Sequence, residues 1–377
     1  MSNDNKQILI AANIFPPQIG GPARYGKQLA EELAKKGCKV AVVAYGKRFH
    51  FEEKLSYSVN YVSSGWPTPL RQLLYLLKVC WRAWGANGIL ALDSLGAGLP
   101  AVLAGKLLNK KVIIRLGGDF LWEKFIENGR GFATMADFNE KELFKSFFRI
   151  KKLVEFTLRN AYRTVFTTDF QKKLFVKYYN LKEKKSLVIS NVFDQNSERK
   201  AVFYNLPKTI LWAGRFIKLK NLPFLIKVFI ELLNKDHSLR LELVGDGPEK
   251  DNIARLIKTE GLEDKARVTE GLDKKALQTK IDGAYFCVLP SLTEVSPNFA
   301  LECLASGKPV LITRETGIEE QFPELLYADP KDESSFVQAG LRLLNDDFYA
   351  ACQNKIFSFQ YRKSYSDLAE EYLKLFL

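Results

Sequence analysis

Short apolar runs alternate with amphipathic stretches of helical period along most of the chain. Gln7 to Ala12 reads as a buried strand, Gly20 and Gly21 as a loop, and Ala23 to Lys36 as an amphipathic helix closed by Gly37. Lys39 to Ala44, Ile89 to Leu92 and Lys111 to Leu116 follow as strands, with Leu99 to Leu108 a helix between the last two. A second series predicts strands at Thr209 to Ala213, Leu239 to Val244, Ala266 to Thr269, Tyr285 to Pro290 and Pro309 to Thr313. Helices at Leu222 to Leu233, Glu249 to Lys258, Lys274 to Asp282 and Pro297 to Ser306 separate them. Strand, helix, strand at these lengths predicts α/β architecture with parallel sheets covered on both faces. The polar stretch Asp194 to Pro207 divides the two series. It sets an N-terminal domain at 1–193 and a C-terminal domain at 194–363, with a final helix over about 364–377 packing back on the first. Doubly wound domains in tandem are expected to bind a ligand in the crevice at the carboxyl ends of their strands.

Two segments interrupt the alternation. Leu70 to Trp84 predicts a helix with Leu70, Leu73, Leu74, Leu77, Trp81 and Trp84 on one side and Arg71, Lys78 and Arg82 on an opposite stripe. Asp137 to Arg163 predicts a longer helix with Leu143, Phe147, Ile150, Val154 and Leu158 on one face and Lys145, Arg149, Lys151 and Lys152 around it. Such helices either lie on an anionic membrane or pack into a core with solvated edges.

Composition narrows the class. A chain of 377 residues with 47% hydrophobic and 26% charged residues builds two globular cores. The net charge of +13 is uneven: residues 1–190 carry 31 Lys+Arg against 15 Asp+Glu, so the first half points to an anionic partner or to plain solubility charge. Five scattered cysteines without a CxxC spacing fit free thiols in a reducing compartment. His50 and His237 stand alone, so no metal site is expected. There is neither a secretory-type N-terminus nor an apolar run long enough to span a bilayer. No zinc-finger, helix-turn-helix or aromatic RNA-binding motif is evident, and nucleic acid is not expected as a partner.

Four stretches carry candidate chemistry. In Pro290 to Thr313 a strand ends in a loop and a helix begins near Pro297, so its free N–H groups favour a phosphate. Glu294 sits before that helix and Glu302 about two turns into it, both suited to hydroxyls of a sugar or ribose. In Ala213-Gly214-Arg215-Phe216-Ile217-Lys218-Leu219-Lys220-Asn221, a strand runs into a glycine turn followed by the candidate cations Arg215 and Lys220. Arg meets phosphate as a fork and Lys as a point charge, so the two could neutralise a diphosphate without a metal. Phe15 to Gly21 is a glycine loop between the first strand and first helix, and Gly245-Asp246-Gly247-Pro248-Glu249 follows a strand of the second series. The glycines of the first let the backbone approach a phosphate or acceptor closely, and the second also reads as a tight turn.

These stretches, in this order, resemble glycosyltransferase family 4, the retaining enzymes of the GT-B fold. The family's Glu-x7-Glu motif is matched by Glu294 and Glu302, and its phosphate-binding Arg and Lys by Arg215 and Lys220; "VISNVFD" at 188–194 also fits. The resemblance implies two Rossmann-like domains facing across a cleft and transfer of a hexose-type sugar from a nucleotide diphosphate. Arg215, Lys220 and Glu294 would be catalytic. Glu302, Gly214, Gly245, Asp246, Ser296, Asn298 and Phe299 would bind the donor, with no cofactor and no metal. Gly20, Gly21 and Asp119 would contact the acceptor or a phosphate. The chain departs from the family pattern at Val295-Ser296-Pro297-Asn298, where many members have Gly-Phe-Gly, and at Leu116-Gly117-Gly118-Asp119, where the usual histidine is missing. The acceptor is expected to be a glycan or polyprenyl-linked sugar, with an anionic membrane surface as a candidate partner. The expected setting is the cytoplasm, with peripheral attachment to the inner face of the plasma membrane as the other expectation. A sugar-nucleotide epimerase and a catalytically inactive transferase-like subunit are the alternatives.

Overall fold

The computed structural model describes residues 6–18, 20–46, 55–193, 208–359 and 361–376. The expected linker at 194–207 and His50 lie outside the described residues. The first sheet has seven strands: β1 (Gln7–Ala12), β2 (Lys39–Tyr45), β3 (Ser58–Val62), β4 (Gly88–Ala91), β5 (Lys111–Arg115), β6 (Arg163–Phe166) and β7 (Ser186–Val188). Their order is β3-β2-β1-β4-β5-β6-β7, parallel throughout. The second has β8 (Thr209–Ala213), β9 (Arg240–Val244), β10 (Ala266–Thr269), β11 (Phe286–Leu289), β12 (Val310–Thr313) and β13 (Leu326–Ala328). Their order is β10-β9-β8-β11-β12-β13, again parallel. The strands β1, β2, β4, β5, β11 and β12 are buried on both faces and are near-continuous apolar runs, which is why the sequence displays them clearly. The strand order reverses between β1 and β4 in one sheet and between β8 and β11 in the other, and a ligand site forms at the carboxyl ends beside such a reversal.

The chain divides into two compact units, Met1–Leu121 with Glu142–Val192 and Lys363–Leu377, and Trp122–Lys141 with Phe193–Arg362. The C-terminal helix Tyr365–Phe376 joins the first unit, where the Tyr25 hydroxyl donates to that of Tyr372 (3.0 Å) and Lys36 pairs with Glu370 (2.6 Å). The segment 122–141, read from the sequence as part of the first domain, groups with the second. Its ties reach far along the chain. Glu127 accepts the N–H groups of Lys218 (3.3 Å) and Leu219 (3.1 Å), Met135 N–H donates to Thr293 Oγ1 (2.8 Å), and Asp137 pairs with Lys331 (3.0 Å).

Two expected helices differ. The 137–163 stretch is broken into Met135–Glu140, a 3-10 turn Leu143–Phe147 and a helix Phe148–Asn160. Glu142 adopts a left-handed φ of 52°, which ends one helix, and burial of Phe144 and Phe147 redirects the next. The helix Thr68–Ala83 forms as expected but buries Tyr75, Val79 and Ala83, leaving the leucine and tryptophan side in solvent. Strands β3, β6, β7 and β13 were not legible: they have five, four, three and three residues and lack long apolar runs.

Candidate active site

In the second unit the reversal between β8 and β11 brings two loops side by side. The strand β8 delivers Gly214 and Arg215, then a 3-10 turn Lys218–Lys220. Asn221 follows with φ 57°, a left-handed conformation that asparagine tolerates, and starts the helix Leu222–Leu233. Its buried side chain donates to the carbonyls of Pro290 (3.2 Å) and Pro330 (3.3 Å), and Leu292 N–H donates to Leu219 O (3.0 Å). The loop after β11 is thereby stitched to the turn that carries Lys220.

The consequence is a direct ion pair between Lys220 Nζ and Glu294 Oε2, to which Ser291 Oγ also donates (3.1 Å). Glu294 is only 8% exposed. Its own N–H donates to Glu315 O (2.9 Å), which fixes the residue on the far side. Arg215 is exposed and takes no partner among the described residues, so its fork is available to an anion. The helix Asn298–Ala305 has no side-chain cap, which leaves its N-terminus suited to phosphate. Glu302 stands four residues into it, just over one turn rather than two, and is half-buried. Ser296 Oγ is buried without a hydrogen-bond partner among the described residues. A buried hydroxyl in that state fits a ligand contact. Asn298 and Phe299 open the helix beside it.

The glycine turn after β9 supports this arrangement from behind. Phe216 N–H donates to Asp246 O (2.9 Å), and Glu249 N–H to Phe216 O (3.0 Å). A Cβ on Gly245, at φ 142°, would come within 1.9 Å of Gly214 O. Gly245→Ala should therefore destabilise the protein by about 2 kcal/mol or more and loosen the Arg215 loop, which a thermal melt would show. The Asp246 carboxylate is committed to Lys250 (2.8 Å) and Gly271 N–H (3.1 Å), contacts that hold it below the usual carboxylate range. Its side chain thus serves the turn, leaving the backbone of 245–246 as the part that shapes the site.

Glu315 is a member of the site that sequence reasoning missed. Burial raises its carboxyl to about 7, with Lys331 opposing and Asp137 and Asp329 reinforcing the shift. Its folded value exceeds the ordinary one, so the folded state holds the proton more tightly. Stability contributed in this way is complete below the normal carboxylate range and is lost as pH rises through about 7. Melting temperature should fall between pH 5 and 8 by a component that Glu315→Gln removes; an identical pH profile in the variant would contradict this. Asn221, Ser291 and Glu127 were also missed as site residues. Asn221 carried a signal, since asparagine before Leu-Pro at a helix start fits a left-handed cap.

In the first unit, Gly20 and Gly21 lie after β1 at the start of the helix Gly21–Lys35, beside the reversal of that sheet. A Cβ on Gly20 would meet Ile14 Cδ1 at 2.9 Å. The expectation for Asp119 is corrected. It is fully buried, takes the Tyr179 hydroxyl at 2.8 Å on both oxygens and accepts Leu121 N–H (2.9 Å), so no sugar reaches it.

Comparison with known proteins bears on the family and the fold. Residues 19–197 match a family model described as Glycosyltransferase Family 4, and residues 207–346 one described as Glycosyl transferases group 1. An uncharacterized glycosyltransferase of Haemophilus influenzae is 24% identical over 300 residues, 78% of this chain and 76% of its own. The 2-deoxystreptamine N-acetyl-D-glucosaminyltransferase of Niallia circulans is 27% identical over 146 residues, and the aligned part spans only 38% of that relative. Among solved structures, the Anabaena protein HepE in complex with UDP and glucose superposes with a TM-score of 0.73 at 15% identity, covering 98% of each chain. WaaG, a glycosyltransferase involved in lipopolysaccharide biosynthesis, gives 0.74 at 14% identity, covering 98% of this chain and 99% of its own.

Proposed function

Because the chain belongs to glycosyltransferase family 4, we propose that it is a retaining enzyme, moving a hexose-type sugar from a nucleotide diphosphate to a glycan or lipid-linked acceptor. The product would belong to cell-envelope polysaccharide or glycolipid synthesis. The observation that carries the proposal is the Lys220–Glu294 pair at the strand reversal of the second sheet, with Lys220 on the same loop as Arg215, whose side chain has no partner among the described residues. Arg215 and Lys220 face the charge that grows on the diphosphate as the bond to the sugar breaks. Preorganised cations aimed at developing charge act most strongly in the transition state. Glu294 takes a hydroxyl of the transferred sugar, and Glu302 the ribose. The acceptor hydroxyl loses its proton to the departing phosphate, and its oxygen bonds to the anomeric carbon on the face the leaving group vacates. The two cations supply the charge compensation, with no metal required by the proposal. HepE, which is crystallised with UDP and glucose, supports the donor class. The basic first half favours an anionic or polyprenyl-linked acceptor. Free thiols at Cys38, Cys287, Cys303 and Cys352 fit work in the cytoplasm or at the inner face of the plasma membrane.

A panel of nucleotide sugars read by thermal shift tests the proposal. The true donor at a hundredfold over its Kd stabilises the fold by about 2.7 kcal/mol. The anomeric configuration of the product, read by NMR, should match that of the donor. A panel in which nothing stabilises the chain, or a donor that is epimerised with no acceptor present, would overturn it.

A further inference from the structure

Trp66, Leu70, Leu73, Leu77, Trp81 and Trp84 follow one another at spacings of three and four along the helix Thr68–Ala83 and its flanks. All six are 40–77% exposed, although a soluble helix normally turns such a stripe inward. The helix cannot roll to hide it. Its other side is locked by the buried Tyr75, Val79 and Ala83, and the Tyr75 hydroxyl lies within hydrogen-bond reach of the carbonyls of Ala12 (3.0 Å) and Val43 (2.9 Å). Arg71, Lys78 and Arg82 run along another side of the helix, with Lys78 and Arg82 both over the Trp81 ring of the stripe, and among the described residues none pairs with a carboxylate. Arg71 donates to Ser64 O (3.2 Å), Arg82 donates to Asn60 Oδ1 (2.8 Å), and Lys78 lies 5.3 Å from the ring centroid of Trp81. From Lys54 to Gly118 the sequence has a single acid, Asp93, and its carboxylate is turned inward onto the N–H groups of Leu95 and Ala97. The neighbouring helix Gly98–Leu108 packs alongside and adds exposed Leu107 and Lys106.

We propose that this stripe docks the protein on an anionic bilayer, the helix lying in the headgroup layer with its leucines and tryptophans at the acyl boundary. The chemistry fits that occupant. Tryptophan favours the interface, apolar side chains gain by partial insertion, and lysine and arginine are drawn to anionic lipid. A second copy of the chain fits poorly. A two-fold contact through the stripe would gather the cations of both copies around the Trp81 rings, with no carboxylate paired to them among the described residues. At about 24 Å the helix is also too short to span a membrane, and among the described residues no helix is long and apolar enough to do so. The proposal deepens the acceptor side of the transferase function and rests on it only for what is delivered at the surface. Docking itself is measured with neither donor nor acceptor, so either can fail alone.

The test is co-sedimentation of the full chain with phosphatidylcholine vesicles, with and without phosphatidylglycerol, together with tryptophan emission. Binding to the anionic vesicles with a blue shift, weakened by salt, is expected. Leu77→Glu with Trp81→Glu, both at exposed positions, should weaken binding at least about tenfold, and Lys78→Glu should weaken it measurably, with melting temperatures unchanged. Wild type left in the supernatant, equal binding to neutral vesicles, or a double variant that sediments like wild type would overturn the proposal. So would a dimer in analytical ultracentrifugation that the double variant dissolves, which would assign the stripe to a second copy.

Discussion

Arg215→Ala lowers turnover by about 10²-fold or more while leaving stability within about 0.5 kcal/mol of wild type. The two halves of that expectation have separate causes. The side chain is exposed and makes no hydrogen bond or ion pair with the described residues, so its removal leaves nothing buried and unsatisfied. Its fork nonetheless stands on the turn after β8, one residue beyond Gly214, whose N–H donates to Val244 O (3.0 Å) and fixes the loop. A fork carried on a fixed backbone and left uncommitted by the fold is suited to a leaving diphosphate. Arg215→Lys should recover only part of the rate, because a point charge cannot reproduce a two-point contact with phosphate. Steady-state turnover beside a thermal melt reads both. Near-wild-type turnover would remove Arg215 from the chemistry, and a large fall in melting temperature would mean that it is structural.

Lys220 should behave in the opposite way, with stability and turnover falling together. Lys220→Met leaves the carboxylate of Glu294, a residue 8% exposed in the wild type, with Ser291 as its remaining side-chain donor among the described residues. Breaking a mostly buried pair by removing one partner costs about 2 kcal/mol after allowance for the partial exposure of the lysine. Replacing both, as Lys220→Met with Glu294→Gln, should restore much of that stability without restoring turnover, since neither the cation nor the carboxylate is then present. A double-mutant cycle on melting temperature and turnover separates these outcomes. Additive stability losses would show that the pair is not coupled.

The fold was legible where strands are buried on both faces. Gln7–Ala12, Thr209–Ala213 and the helix Leu222–Leu233 fall where the apolar pattern put them. Edge and short strands such as Ser58–Val62 and Leu326–Ala328 lack the long apolar run that marks the others. The helix Thr68–Ala83 shows a different limit. Periodicity identified its apolar stripe but could not say which side faces the sheet, and Tyr75 settles that through contacts with strands 32 and 63 residues away. At the candidate site, Arg215, Lys220 and Glu294 were visible because each sits in a turn or loop that follows a strand, and Glu302, inside the helix Asn298–Ala305, by its spacing from Glu294. Glu127 and Glu315 were not. Glu127 reaches the Lys218–Lys220 turn across 91 residues, and Glu315 meets Glu294 through a backbone hydrogen bond across 21 residues. Asp119 shows the reverse error, a polar residue in a glycine loop that points inward to Tyr179.

Calorimetric titration of a nucleoside diphosphate, with no sugar attached, into wild type and Arg215→Ala reaches the central claim most directly. If the pyrophosphate rests on the cations beside the reversal of β8 and β11, the diphosphate binds wild type much more tightly than its parent nucleoside, added salt weakens it, and the variant loses at least about tenfold in affinity. Equal affinity of wild type and variant, or no preference for diphosphate over nucleoside, would contradict the account.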